Sequence, residues 1–310
     1  MNQVRWKVSR RAWDWSTKLH KGERNAKANA LLRWAGAVSI RRAVANDWFS
    51  LLEKPEMKPF VEANPRLAFR PMGVYLSAQW DWDRRVKVIV DTYEFVHALG
   101  GALQDSLLRR EGLVLARFPA GQGAEAILRF GIDSQLRREG EIAVLLECSL
   151  FKGYISKIAF SFERRAGAGW VCYIGAVQGR PGDEDAIKAL TKGMHGFRPK
   201  AFMVFVAQEI IRSLRVKELL GVGNEIHVLR ARNQSLLGNR KKILFDYDEL
   251  WTELGGEPGV EGWFRLPVRT QRREVVEMKP NKRSMYNKRY ALMDEISRQI
   301  KTVLTPFPRG

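Results

Sequence analysis

The feature that most constrains this chain is a change of apolar period near residue 141. From there, "EIAVLLECSL" (141–150), "YISKIAFSFER" (154–164) and "WVCYIGAVQG" (170–179) are short runs rich in Ile, Val, Phe and Tyr, separated by "FKG" and "RAGAG". Runs this short with glycine-bearing connections predict an antiparallel meander. Hairpins then give way to alternation. "GRPGDEDAIKALTK" (179–192) reads as a loop and short helix, and "KAFMVFVAQEIIRSLRV" (200–216) is apolar on most faces, as a buried helix is. "KELLGVGN" (217–224) reads as a strand, so strand, loop, helix and strand form a crossover unit with near-parallel strands.

The 135 residues ahead of this core read as helical. "NALLRWAGAVSIRRAVANDWFSLLEK" (29–54) and "WDWDRRVKVIVDTYEFVHALGGALQDSLLRREG" (80–112) carry apolar groups at helical spacing, whereas "PEMKPFVEANPRLAFRP" (55–71), with four prolines, reads as a connector. Trp6, Trp13 and Trp15, interleaved with Arg and Lys, either anchor one helix on another or stack on bases. "NRKKILFDYDELWTELGG" (239–256) and "GWFRLP" (262–267) add strand and helix pieces, and the tail is basic and helical. The expected α+β organisation is a helical domain over 1–135, an α/β core over 136–267 and a basic helical tail over 268–310 packing on that core.

Charge is concentrated at the two ends. The chain has 53 Lys and Arg against 34 Asp and Glu, a net +19; residues 1–50 hold 11 basic and 3 acidic groups, and 265–310 hold 12 and 4. Each end is therefore +8, leaving +3 for the middle. Such ends are either solvated helices or grips for an acidic partner, nucleic acid or an anionic membrane surface. Cys148 and Cys172 lie in apolar runs without a CxxC or a histidine at metal spacing, and residues 1–20 lack the apolar core of a signal peptide. No run of 18 apolar residues occurs, so a transmembrane segment is not expected and a reduced, cytoplasmic setting is.

Three clusters carry candidate chemistry. "KGMHGFRPK" (192–200) precedes the buried helix, whose free N–H groups and dipole attract anions. Arg198 can fork onto phosphate oxygens, Lys192 and Lys200 add charge, and Gly193 and Gly196 allow backbone to approach a ligand. The competing reading is a solvated capping loop, with His195 either bonded to backbone or catalytic. In "GVGNEIHVLRAR" (221–232), Asn224, Glu225 and His227 follow a strand where α/β sheets place ligands. Glu225 and His227 share a face if extended, as a proton-passing pair or a structural one. Glu147, amid an apolar strand, is either a base of raised pKa or a group facing water. In "FDYDELWTELGG" (245–256), Asp246 and Asp248 could hold a metal or an amine, but no third ligand is evident and no metal is expected. Tyr247 could donate a proton to a leaving group or simply pack. Walker-type, GxGxxG, GxSxG and HExxH patterns are absent.

Taken together, "IGAVQG" (174–179), "AIKALTKGMHGFRPK" (186–200), "GVGNEIHV" (221–228), "DYDELWTELGG" (246–256), "GWFRLP" (262–267) and "KPNKRSMYNKRY" (279–290) resemble the bacterial VirK/YbjX family of unknown function, over roughly residues 60–300. The resemblance implies a core similar to the GNAT acyltransferases, in which two strands diverge around a thioester's pantetheine and the following loop holds its pyrophosphate. Here that loop is "HGFRPK" in place of the usual [QR]xxGx[GA], so side-chain cations are expected to stand in for a backbone cradle. The implied activity is transfer of an acyl or aminoacyl group to an amine, from acyl-CoA, another acyl thioester or a tRNA-borne donor. Lys192, His195, Gly196, Arg198, Lys200 and Asn224 would bind the donor. Glu147, or Glu225 with His227, would take the proton and Tyr247 would give one. The alternative is a non-catalytic basic protein that binds nucleic acid or anionic envelope lipid.

Overall fold

The computed structural model describes residues 42–109, 111–180, 182, 184–230, 245–274, 276 and 279–305. Trp6, Trp13, Trp15 and the start of the first helical stretch lie outside the described residues. Among the described residues, four helices precede the sheet: α1 (Arg42–Leu52), α2 (Lys58–Ala63), α3 (Trp82–Ala98) and α4 (Gly101–Leu108). The proline-rich stretch expected to be a connector holds α2 and a 3₁₀ segment, Pro65–Met72, each with a proline in its first two positions. A proline there loses no hydrogen bond, so it starts a helix rather than breaking one.

Five strands then run antiparallel in chain order: β1 (Leu113–Gly121), β2 (Ala124–Gly131), β3 (Ile142–Cys148), β4 (Tyr154–Arg165) and β5 (Gly169–Gly179). The chain crosses through α5 (Glu184–Gly193) and α6 (Pro199–Ser213) and returns as β6 (Glu218–Val222), parallel to β5. After α7 (Tyr247–Glu253) come β7 (Glu257–Pro258) and β8 (Trp263–Leu266), giving the order β1-β2-β3-β4-β5-β6-β8-β7. The meander, the crossover and the final strand therefore match the sequence reading. The first hairpin does not, since residues 113–131 fall in the region expected to be helical. Gly121, Gln122 and Gly123 all have positive φ, and this tight left-handed turn joins β1 to β2.

β4 is buried along nearly its whole length, with α3 and α6 packed on it. Phe95 of α3 meets Phe162 of β4 at 4.2 Å between ring centroids and Trp170 at 4.7 Å. One apolar cluster runs from Trp48 in α1 to Leu304 in the last helix, α8 (Pro280–Leu304), and so spans the expected boundary at residue 135. Truncating one such phenylalanine to alanine costs ~3–5 kcal/mol. α8 lies over α6 and β1, burying Met293, Ile296, Ile300 and Leu304 at helical spacing. From that helix the Gln299 amide reaches the outer edge of β1, accepting from Arg117 N–H at 2.9 Å and donating to its carbonyl at 3.0 Å. Cys148 and Cys172 are both free and buried, and burial pushes the Cys172 thiol up. No helix among the described residues is long and apolar enough to cross a membrane.

Candidate functional site

Glycine at 175 sets up the site. β4 pairs Ala159 with Ala176 and Phe160 with Ile174, so Gly175 is an extra residue, a bulge that bends β5. A Cβ there would lie 2.0 Å from the Glu139 carbonyl oxygen, so only glycine fits beneath the 139 turn. β5 pairs with β6 over Val171–Ile174 and no further, and its last residues continue with β4 alone on one side. The two parallel strands thus part at the bulge, and the backbone of β5 facing the gap needs other partners.

His227 and Tyr247 occupy that gap. Their rings stack at 4.9 Å, and the Tyr247 hydroxyl reaches the Val177 carbonyl of β5 at 3.5 Å. His227 Nδ1 accepts from the Leu229 N–H at 3.3 Å, while its buried Nε2 has no hydrogen-bond partner among the described residues. Burial, then the positive charges of Arg138 and Arg230, bring its pKa down to about 4 against the opposing effect of the Gly175 backbone, so the imidazole is neutral at physiological pH. Burial also raises the Tyr247 hydroxyl, with a smaller push from the Glu139 carboxylate. Glu139, itself buried and raised by burial, keeps one carboxyl oxygen without a hydrogen-bond partner among the described residues; sequence reasoning did not single it out, because it lies in an unpatterned turn. Glu225 does not join this group. It sits exposed in a turn while His227 is buried, so the extended geometry that would put them on one face is not formed.

Asn224 fastens α7 to the end of β6. Its N–H donates to Asp248 at 2.7 Å, its side-chain NH₂ to Asp246 at 2.7 Å, and its side-chain oxygen accepts from Tyr247 N–H at 2.9 Å. Asp246 is the N-cap of α7 and accepts from Glu249 N–H, a bond that, with the one from Asn224, holds its carboxyl below the usual range. The two aspartates expected to share a face in an extended segment instead start a helix, and both serve to hold it. The Asp-x-x-Glu spacing of 246–249 was the sequence signal for that start.

The stretch 192–200 is a built loop, not a loose one. Gly193 ends α5 against β1, where a Cβ would come within 1.7 Å of the Ala120 carbonyl oxygen. His195 and Gly196 take consecutive left-handed conformations, and the Arg289 guanidinium of α8 donates to the His195 carbonyl at 3.1 and 2.9 Å. Burial, then Lys288 and Arg289, lower the His195 pKa, leaving that ring neutral at physiological pH. Phe197 anchors the loop against Phe202 and Phe205. Arg198 is the N-cap of α6 in extended conformation, and no side chain among the described residues caps the helix.

A pocket of about 280 Å³ opens at this helix start, beside Gly179 at the end of β5. Arg198, Lys200, Phe245, Asp246, Glu249 and Glu253 line it, with Ile155, Ile187 and Leu250 among its apolar walls. Lys200 is half-buried, its Nζ 3.1 Å from the centroid of the Phe245 ring. Burial lowers its pKa to about 8, and no carboxylate pairs with it among the described residues. Arg198 is ion-paired with Glu253 at the rim. Glu249 is exposed there, without an ion pair among the described residues. Lys192, His195, Gly196 and Arg198 also line a second, open groove of about 780 Å³ between α5 and α8, which shares Ile187 and Arg198 with the pocket. Glu147 is not brought to either. It lies on β3, ion-paired at 2.7 Å with Arg129 of β2.

The class defined here is a mixed α+β protein whose parallel strand pair diverges at a bulge beside an uncapped helix start. The chain belongs to the VirK/YbjX group: residues 23–302 match the family described as "Protein of unknown function (DUF535)". It is 27% identical to the uncharacterized protein YbjX of Escherichia coli strain K12 across 83% of this chain and 78% of that protein. Two uncharacterized proteins of Haemophilus influenzae are 34% and 33% identical, covering 41% and 42% of this chain and 42% and 43% of their own. No solved structure matches the chain.

Proposed function

We propose that this protein is a GNAT-like transferase moving an acyl or aminoacyl group from a thioester or tRNA donor to an amine, in the cytoplasm. The observation that carries the reading is the half-buried Lys200 ammonium at the uncapped start of α6, on the wall of an apolar pocket where β5 leaves β6. A half-buried cation without a paired carboxylate favours an anionic ligand. Two backbone N–H groups, of Lys200 and Ala201, lie in the same first turn, where helix dipole and side chain act together. In this reading Arg198 leaves Glu253 to fork onto the donor's phosphate.

The acceptor amine attacks the acyl carbon, its proton passes to the Glu249 carboxylate, and the C–S or C–O bond breaks. The leaving thiolate or alkoxide takes a proton from the Lys200 ammonium, whose pKa of about 8 suits it to give one near neutral pH. Glu249 takes the base's part because it lines the pocket, whereas Glu147 is held by Arg129 on β3 and Glu225 is exposed in a turn outside the pocket's lining. His227, Tyr247 and Asn224 set the shape of the gap.

The test is transfer of labelled acyl groups from acetyl-CoA and from aminoacyl-tRNA to a panel of amines. Lys200→Met is expected to melt within a few degrees of the parent and to lower transfer at least about tenfold, the scale of one lost charge-assisted hydrogen bond. Absence of transfer from both donors by the parent chain overturns the reading. The second reading, a non-catalytic protein for nucleic acid or anionic envelope lipid in peripheral contact with a membrane, is favoured by the basic groove between α5 and α8.

A further inference from the structure

The groove between α5 and α8 has a composition that packing does not require. Lys188, Lys192, His195, Arg198 and Lys288 line it, and no carboxylate does among the described residues. Asn281, Ser284, Met285 and Lys288 form one face of α8 at spacings of three, four and seven residues; Ile187, Lys188, Thr191 and Lys192 face them from α5. The floor is apolar, through Ile187 and Met285, and the rims are cationic or hydrogen-bonding. Lys192 and Lys288 have no carboxylate at ion-pair distance among the described residues, while Lys188 meets only the exposed Glu184 and Asp185 of its own helix, at 3.8 and 3.7 Å. Like charges gathered on two facing helices repel one another, which an anion between them relieves.

The groove is also continuous with the pocket at the start of α6, because Ile187 and Arg198 belong to both. Its α8 wall from Asn281 to Lys288 is about 10 Å long at 1.5 Å per residue. Phosphates recur every ~3.4 Å of rise along one stacked strand, so such a wall faces about three of them. A pyrophosphate alone would fill one end of it. Beside the wall, Lys282 is exposed and adds to the charge of the first turn of α8.

We propose that this groove is a track for the sugar-phosphate backbone of a single-stranded nucleic acid, whose end enters the pocket past Arg198. The inference rests on the transferase reading only for what the strand's end carries, which would make the donor polynucleotide-borne; the groove's ligand stands without it. Lys188, Lys192 and Lys288 would neutralise phosphates, and the apolar floor would take base or ribose surface.

The experiment measures fluorescence anisotropy of a short fluorescein-labelled single-stranded RNA with the full chain, over a range of salt. The parent is expected to bind with log affinity falling linearly in log salt. The triple variant Lys188→Ala, Lys192→Ala, Lys288→Ala is expected to keep its melting temperature, lose at least about tenfold in affinity at low salt, and show a slope shallower by about 2, at ~0.7 per single-strand phosphate contact. RNA bound through the groove without transfer from any donor would sink the transferase reading and keep this inference. An unchanged affinity and slope in the triple variant overturns it, as does failure of the parent to bind RNA while vesicles containing anionic phospholipid bind through the same lysines.

Discussion

A buried imidazole is a stability reporter as well as a filler. His227 has its pKa brought down to about 4 from an ordinary value near 6.5, chiefly by burial. The unfolded chain therefore binds a proton between those values that the folded chain refuses, so stability is complete above about 6.5 and is lost as pH falls toward 4. This group contributes up to about 3 kcal/mol to that slope. Chemical denaturation of His227→Phe is expected to show a flatter loss between pH 6.5 and 4 than the parent; an identical slope would remove the histidine as its source. At this scale the sequence was legible in part. It pointed to Arg198, Lys200 and Asn224, because glycine, proline and cation spacing marks a helix start and a strand end. It misplaced Glu225, because a turn after β6 looks the same in sequence as one more extended residue. Glu249, which lines the pocket, was not singled out because attention fell on the neighbouring Asp246 and Asp248, weighed for a metal or an amine.

Elements that differ in glycine punctuation differed in legibility. The β3–β4–β5 meander reads directly, since its runs are β-branched and its connections carry glycine. The β1–β2 hairpin does not, because "LVLARFPAGQGAEAILRFG" is rich in alanine, leucine and arginine, which favour helix locally. There the turn at 121–123 and pairing with β3 prevail over propensity. The contact between α5 and β1 depends on one residue of this kind. Gly193→Ala would set a methyl 1.7 Å from the Ala120 carbonyl oxygen, and backbone on both sides has to move. A loss of about 1–3 kcal/mol is expected in urea unfolding, the usual cost of overpacking. Weaker RNA binding should accompany it, because the displaced loop carries His195 and Arg198. A neutral Gly193→Ala would show that α5 and the loop shift freely.

For the whole molecule, the excess of charge at the ends was plain in the sequence, but its use was not. Much of α8 sits over α6 and β1, so the basic tail expected to pack on the core supplies residues to it, such as Ile296 and Ile300. The same helix carries Arg289, which holds the loop at His195, and Lys288, which faces α5. Period and caps reveal a helix; which partner its apolar stripe meets is settled by packing across a separation of 182 residues, as between Arg117 and Gln299, and no local pattern encodes that.

The Gln299 amide clasping Arg117 has a consequence for solubility. An outermost strand offers unpaired N–H and C=O groups to any neighbouring chain and can seed stacked, fibre-like growth. Gln299 copies the two hydrogen bonds of an incoming strand and occupies that place, while the opposite margin of the sheet is only Glu257–Pro258, too short and too poor in donors to template anything. Gln299→Ala is therefore expected to melt within about 1–2 kcal/mol of the parent yet to scatter light at protein concentrations where the parent stays clear. A protein this crowded with positive charge would then clump through an opened seam despite its self-repulsion.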